Sequence, residues 1–306
     1  MAALQSQRVT VESLEDSLQG MLFLPNTAER AAAVLIAHGA GDCKENFFEL
    51  AEYLGERGIA SLALDLHGHG ESGGARYHVD MREWVPDVRA GLDFLSQHPR
   101  IDRERLGAFG LSSGGTAIAE AALIDSRIKA LVLLDATVRD SLPFSMSMSL
   151  RFLNFVGTVK RQFTSRDLHL PLVKLSGGLE LASDPEINRR LLSNERALEP
   201  FKAFPLPGAA QAFFVDTITR VAGIHAPTLV LWGEDDKLDS PETAKLLHET
   251  LTCKKQLHII PGNGHVGHLD RHREKVFALT CEWLLENLEG SSPTVRVPEQ
   301  SASQHD

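Results

Sequence analysis

Apolar residues along this chain fall into short, nearly unbroken runs separated by longer stretches of helical spacing. Ala31–Ala37 (Ala-Ala-Ala-Val-Leu-Ile-Ala) is continuous, as a strand buried on both faces requires. Ile59–Leu64, Arg105–Phe109, Ala130–Leu134, Thr228–Leu231 and Gln256–Ile260 read the same way, and Arg8–Val11 and Gly20–Leu24 read as two short opening strands. Between them lie helical patterns. Glu45–Arg57 stops at Gly58, and Trp84–Ser96 carries Pro86 in its first turn, where proline is tolerated. Thr116–Ile124 is Ala-rich, and Pro241–Leu251 and Arg273–Leu288 complete the set. Strands alternating with helices predict an α/β protein with a parallel sheet covered on both faces.

One segment breaks the rhythm. From Thr137 to about Ala226 no clear buried strand appears, and Pro143, Pro171, Pro185, Pro200, Pro205 and Pro207 divide it. It is too long for a structureless loop, so it is expected to be an inserted helical lid at 137–226, between core segments 1–136 and 227–290. Its Phe144, Met146, Met148, Phe152, Phe155 and Phe163 suit an acyl channel, but apolar residues generally pack, and most are expected to hold the lid onto the core. The polar stretch 291–306 is expected to be a disordered tail.

Composition adds limits. The 306 residues are 43% hydrophobic and 24% charged, as in ordinary globular proteins. The net charge of −10 disfavours nucleic acid and anionic membranes as main partners. No apolar run is long enough to cross a bilayer, and the N-terminus lacks the basic-then-apolar pattern of a secretory signal. Three scattered cysteines, Cys43, Cys253 and Cys281, fit reduced thiols and a cytoplasmic location. Nothing in the sequence sets the oligomeric state.

Four patterns at predicted strand ends carry the chemistry, since ligands bind open parallel sheets there. Gly110-Leu111-Ser112-Ser113-Gly114 reads as a strand that breaks over a serine into a helix. Glycines two residues either side of Ser112 relieve the collisions of so tight a turn. His38-Gly39-Ala40-Gly41 follows a strand, and its small residues let backbone N–H groups approach a substrate oxygen; the bland alternative is a turn that ends the strand. Trp232-Gly233-Glu234-Asp235-Asp236 offers a carboxylate that can orient an imidazole. Pro261-Gly262-Asn263-Gly264-His265 puts a histidine on a glycine-flanked loop.

The order Ser112, Asp236, His265 matches the serine, acid, histidine order of α/β-hydrolases. From about Arg8 to Leu288 the chain resembles that superfamily, in its lysophospholipase-like and monoacylglycerol-lipase-like branch. The resemblance rests on His38-Gly39, on Asp65-Leu66-His67-Gly68-His69-Gly70-Glu71-Ser72, on the serine elbow, on Gly233-Glu234-Asp235-Asp236 and on Gly264-His265. It implies a mostly parallel eight-stranded sheet with a lid after the sixth strand. It implies Ser112 as nucleophile, His265 as general base and Asp236 as acid, with Ala40 and Ser113 giving the oxyanion N–H groups. Asp235, Asp135 at the end of the sixth strand and the less favoured Asp239 remain alternative acids, and His268 a competing base. His67 and His69 read as loop braces rather than metal ligands. The implied reaction is hydrolysis of an acyl ester without metal or organic cofactor. Serine at the elbow disfavours dehalogenase and epoxide hydrolase chemistry, which use aspartate there. A thioesterase reading would be favoured by a basic docking patch such as Lys160, Arg161 and Arg166. A peptidase reading would draw on lid carboxylates such as Glu180 and Glu199, and a binding protein of the same fold is a further alternative.

Overall fold

A computed structural model describes residues 4–27, 29–140, 142–175, 179–193 and 195–288. The expected disordered tail at 291–306 lies outside the described residues. The strands β1 (Gln5–Ser13), β2 (Asp16–Leu24) and β3 (Ala31–Ala37) open the chain. Then come α1 (Phe48–Gly55), β4 (Ile59–Leu64), α2 (Met81–Gln97), β5 (Ile101–Leu111), α3 (Ser113–Ala122) and β6 (Ile128–Leu134).

The next part of the chain is α4 (Phe144–Thr164), β7 (Leu168–Leu170), α5 (Leu172–Leu175), α6 (Pro185–Ser193), α7 (Glu195–Lys202) and β8 (Phe204–Leu206). The chain closes with β9 (Thr228–Gly233), α8 (Pro241–Thr250), β10 (Lys255–Ile260) and α9 (Arg273–Leu288).

Eight strands form one sheet in the order β1-β2-β4-β3-β5-β6-β9-β10. β2 pairs antiparallel with β1 and with β4, and the remaining neighbours run parallel. β3 shows why both faces are covered. Ala33, Leu35 and Ala37 face the core shared with α2, α3 and α8, while Ala32, Val34 and Ile36 face that of α1 and α9. Full burial of a Val, Leu or Ile side chain stabilises by ~1.5–3 kcal/mol, so this strand anchors both layers. Strand order reverses at β3, between β4 and β5, and the C-terminal ends of β3 and β5 open on the crevice where such sheets bind ligands.

Several boundaries differ from expectation. α2 starts at Met81, with the Asp80 carboxylate accepting from the Arg82 N–H at 2.9 Å, so Pro86 sits in the second turn, not the first. The helix expected from Glu45 begins as a 3-10 turn over Lys44–Phe47. Between β6 and β9 the described residues are mainly helical, but β7 and β8 pair antiparallel as a small second sheet that no apolar run announced. Phe144, Phe152, Phe155 and Phe163, most of which were expected to pack inward there, are exposed, whereas Phe204 is buried. Helical spacing identifies a stripe but does not say which way it faces.

Candidate active site

β5 runs into α3 through Ser112, whose φ of 52° and ψ of −122° lie where non-glycine residues seldom sit. Holding such a residue costs ~1–3 kcal/mol and persists only if its surroundings enforce it. They do. The Ser112 N–H donates to the Leu134 carbonyl at 3.0 Å, and the Ser112 carbonyl accepts from Thr116 at 3.1 Å and Thr137 at 3.2 Å. A Cβ at Gly110 would come within 2.6 Å of the Gly114 backbone, and one at Gly114 would collide with the carbonyl oxygens of Ala37 and His38. That second approach draws the loop after β3 against the start of α3. Ala40 and Ser113 therefore belong to neighbouring backbone segments, with Gly39 packed on the Ser112 side chain.

Two histidines brace that loop. The His38 Nδ1–H donates to the Gly39 carbonyl at 2.8 Å, while Nε2 accepts from the Leu66 N–H at 3.0 Å. The His69 Nδ1–H donates to the His67 carbonyl at 3.0 Å, and its Nε2 accepts from the Gly41 N–H at 3.0 Å. Burial, with His38 nearby, pushes the His69 pKa down to about 3, so the ring stays neutral and keeps both bonds. His67 bonds Asp87 at 2.6 Å through Nδ1, and the same carboxylate accepts from its N–H at 2.8 Å. Glu45, Asp65 and Glu71 lie close together, and their oxygens surround the buried Lys44 ammonium at 3.0, 2.6 and 2.8 Å.

The acid and histidine loops are also locked together. A Cβ at Gly233 would collide with the backbone carbonyls of Asn263 and Gly264, and the Asp235 N–H donates to Asn263 at 2.9 Å. This sets the His265 Nδ1–H to donate to Asp236 Oδ2 at 2.8 Å. Asp236 Oδ1 accepts from the N–H groups of Leu238 at 2.8 Å and Asp239 at 3.0 Å. Burial works to lower the His265 pKa. The charge and hydrogen bond of Asp236, then Asp135 and Asp239, outweigh it and raise the pKa to about 9. With Nδ1 committed to Asp236, Nε2 is the nitrogen left for proton transfer.

The alternative acids are placed differently. Asp235 is exposed. Asp135 is buried with φ 45°, accepts from the Gly233 N–H at 2.7 Å, and leaves Oδ2 without a partner among the described residues. Burial first, then the charge of Asp236, raises its pKa well above the ordinary carboxylate range. A carboxyl whose environment favours its proton is a poorer stabiliser of an imidazolium than Asp236. Asp239 accepts from Thr137 Oγ1 at 2.8 Å, and Thr137 Oγ1 lies 3.2 Å from Ser112 Oγ. His268 stacks flat on Phe47 with ring centres 4.3 Å apart. Both of its nitrogens are buried without a partner among the described residues, and burial followed by His265 drives its pKa to about 3.

Thr137, Asp239 and the bracing His38 were not given these roles by the sequence, and His69, read as a brace, was not given its partner Gly41. Contacts spanning 28 to 102 residues join them to their partners, and no local spacing signals those. A groove of about 770 Å³ lies alongside, lined by Glu180, Asn188, Arg189, Asp235 and Lys237 among others, without Ser112 or His265 in its wall.

Comparison with known proteins places the chain in a family. The profile of the family described as serine aminopeptidase, S33, matches residues 28–272. A thiohydrolase, aneE, of Aspergillus aculeatus is 33% identical over 140 residues, 44% of this chain and 43% of that protein, so the chain spans less than half of this relative. A monoacylglycerol lipase of Mycolicibacterium smegmatis is 25% identical over 280 residues, covering 87% of this chain and 92% of the lipase. Among solved structures, the α/β hydrolase GrgF from a Penicillium species superposes with a TM-score of 0.78 at 20% identity, covering 93% of this chain and 99% of GrgF.

Proposed function

We propose that this chain, which belongs to the serine aminopeptidase S33 family within the α/β-hydrolase superfamily, hydrolyses an ester of a lipophilic acyl group through an acyl-enzyme on Ser112. The observation that carries the reading is the strained Ser112 at the mouth of α3, together with a His265 whose Nδ1 is fixed on Asp236.

In the first half-reaction His265 Nε2 takes the Ser112 proton as Oγ attacks the acyl carbonyl. The oxyanion that forms is received by the N–H groups of Ala40 and Ser113. A preorganised donor of this kind is worth ~3–4 kcal/mol in the transition state. Asp236 stabilises the imidazolium, which then protonates the departing alcohol. Water attacks the acyl-enzyme with His265 again as base, and the acid leaves. No step calls on a metal or organic cofactor. The segment 137–226, proposed as a lid, would select the acyl group.

A thioester substrate is a second reading, supported by the likeness to a thiohydrolase. Acyl chains of graded length, offered as p-nitrophenyl esters and as N-acetylcysteamine thioesters, test both with Ser112→Ala as control. Turnover of either class, lost in the variant, is expected. Turnover of aminoacyl p-nitroanilides alone would replace this reading with a peptidase.

A further inference from the structure

The 21-residue helix α4 turns an apolar side outward. Phe144, Met148, Phe152, Phe155, Val159 and Phe163 follow one another in steps of four, four, three, four and four. At about 100° per residue these positions share one arc of roughly 100°. Phe144 and Phe163 are each 82% exposed, Phe152 65% and Phe155 62%. The opposite face holds the helix to the protein. Ser147, Leu150 and Gly157 are buried there, and a Cβ at Gly157 would meet the Leu206 carbonyl at 2.5 Å.

The four phenylalanines alone expose roughly 600 Å², at ~200 Å² for a whole side chain. Met148 and Val159 bring the stripe to about 750 Å². The largest apolar patch of a monomer is ordinarily about 300–600 Å², and one partner in a stable interface contributes about 800 Å². The exposed area is thus what a stable dimer buries on each side.

The flanking charges point the same way. α4 contains no acidic residue, and its three cations are turned back on their own chain. Arg151 binds Asp140 at 2.7 Å, Lys160 donates to the Asp167 carbonyl at 2.8 Å, and Arg161 pairs with Asp167 at 3.5 Å. With those cations engaged and a net charge of −10, an anionic bilayer finds little to attract it. An uncharged stripe suits a copy of itself.

The spacing also reads the same from either end. A two-fold axis midway between Phe152 and Phe155 sets Phe152 against Phe155 of a second copy, Met148 against Val159 and Phe144 against Phe163. Ser145 and Gln162, the exposed polar residues on the same arc, exchange under the same operation. A closed symmetric dimer requires a patch complementary to itself in this way. We propose that α4 is a self-association surface, on which two copies pair their α4 helices antiparallel about an axis between Phe152 and Phe155.

Sedimentation velocity on the full chain across the micromolar range tests this. The wild type should be a dimer. Phe152→Glu, with an unchanged far-UV circular dichroism spectrum, should raise the dimer dissociation constant at least about 30-fold. Adding Phe155→Lys to Phe152→Glu sets opposite charges face to face in an antiparallel pair and should recover part of that loss. A parallel pair would set like charges together and recover nothing. A monomeric wild type, a dimer indifferent to Phe152→Glu, no recovery in the double variant, or a monomer that floats with phosphatidylglycerol vesicles would each overturn the proposal.

Discussion

Ser112 Oγ lies 3.2 Å from Thr137 Oγ1, and the Thr137 hydroxyl donates in turn to Asp239 Oδ2 at 2.8 Å. Because Thr137 gives its proton to a carboxylate, its oxygen accepts from Ser112. The serine hydroxyl thus rests on Thr137 and must leave it to be deprotonated by His265. A net hydrogen bond is worth ~1 kcal/mol, about a fivefold change in rate. Thr137→Val should therefore speed modification of Ser112 by a fluorophosphonate about fivefold, while costing ~1–3 kcal/mol of stability through a less satisfied buried Asp239. Thr137→Ser should retain the wild-type rate. Slower modification of the valine variant would mean that Thr137 instead aims the hydroxyl productively.

Asp236 and Asp135 should respond differently to the same change. Asp236→Asn removes the charge that supports His265 and should lower kcat by ~10⁴, the scale seen when a triad acid becomes an amide. Asp135 is buried with its pKa raised, and Asp135→Asn keeps a carbonyl oxygen for the Gly233 N–H, so it should leave kcat within several-fold. Steady-state kinetics on both variants decide between the two acids. A larger loss at Asp135 would transfer the role to it.

The pH profile follows from the raised pKa of His265. The base must be neutral, so kcat/KM for the free enzyme should climb with pH to a midpoint near 9. A folded pKa above the ordinary histidine value of 6.5 also means that the protonated ring favours the fold. That contribution is complete below about pH 6.5 and is lost as pH rises through about 9. In Asp236→Asn the two strongest raising influences are gone while burial remains, so the midpoint should fall. An unmoved midpoint would detach the profile from His265.

The Ala40 loop and the elbow meet most tightly at Gly114. Gly114→Ala places a methyl on the backbone oxygens of Ala37 and His38, where no flexible side chain can yield. Overpacking of this kind costs ~1–3 kcal/mol or more. Urea denaturation should show that loss, together with a fall in kcat as Ala40 and Ser113 move apart. An unchanged midpoint would show that this backbone approach is looser than described.

Much of this arrangement is legible in the chain, and the physical reasons are local. β3 and β4 match their apolar runs to the residue, because both are buried on both faces and the one polar residue in them, Ser61, is small and donates to the Ala51 carbonyl. β1 begins before its expected start at Arg8 because Gln5 to Gln7 are exposed and polar, and pairing with β2 rather than burial makes them a strand. α3 begins three residues early, on a Ser-Gly-Gly start of poor helix propensity, because the elbow forces the turn. The serine, the histidine and the glycine-rich turns are visible because tight turns demand glycine at fixed offsets. The choice among Asp135, Asp235, Asp236 and Asp239 is not visible, since loop residues one position apart can point to opposite sides. Nor is the outward face of α4, because a 3.6-residue period has no sign.

The most direct test of the central claim is the site of covalent modification. The intact protein, treated with a fluorophosphonate and digested for mass spectrometry, should carry one adduct, on the peptide containing Ser112. Modification should cease in Ser112→Ala and slow sharply in His265→Ala. An adduct on another residue, or undiminished labelling of Ser112→Ala, would contradict the account.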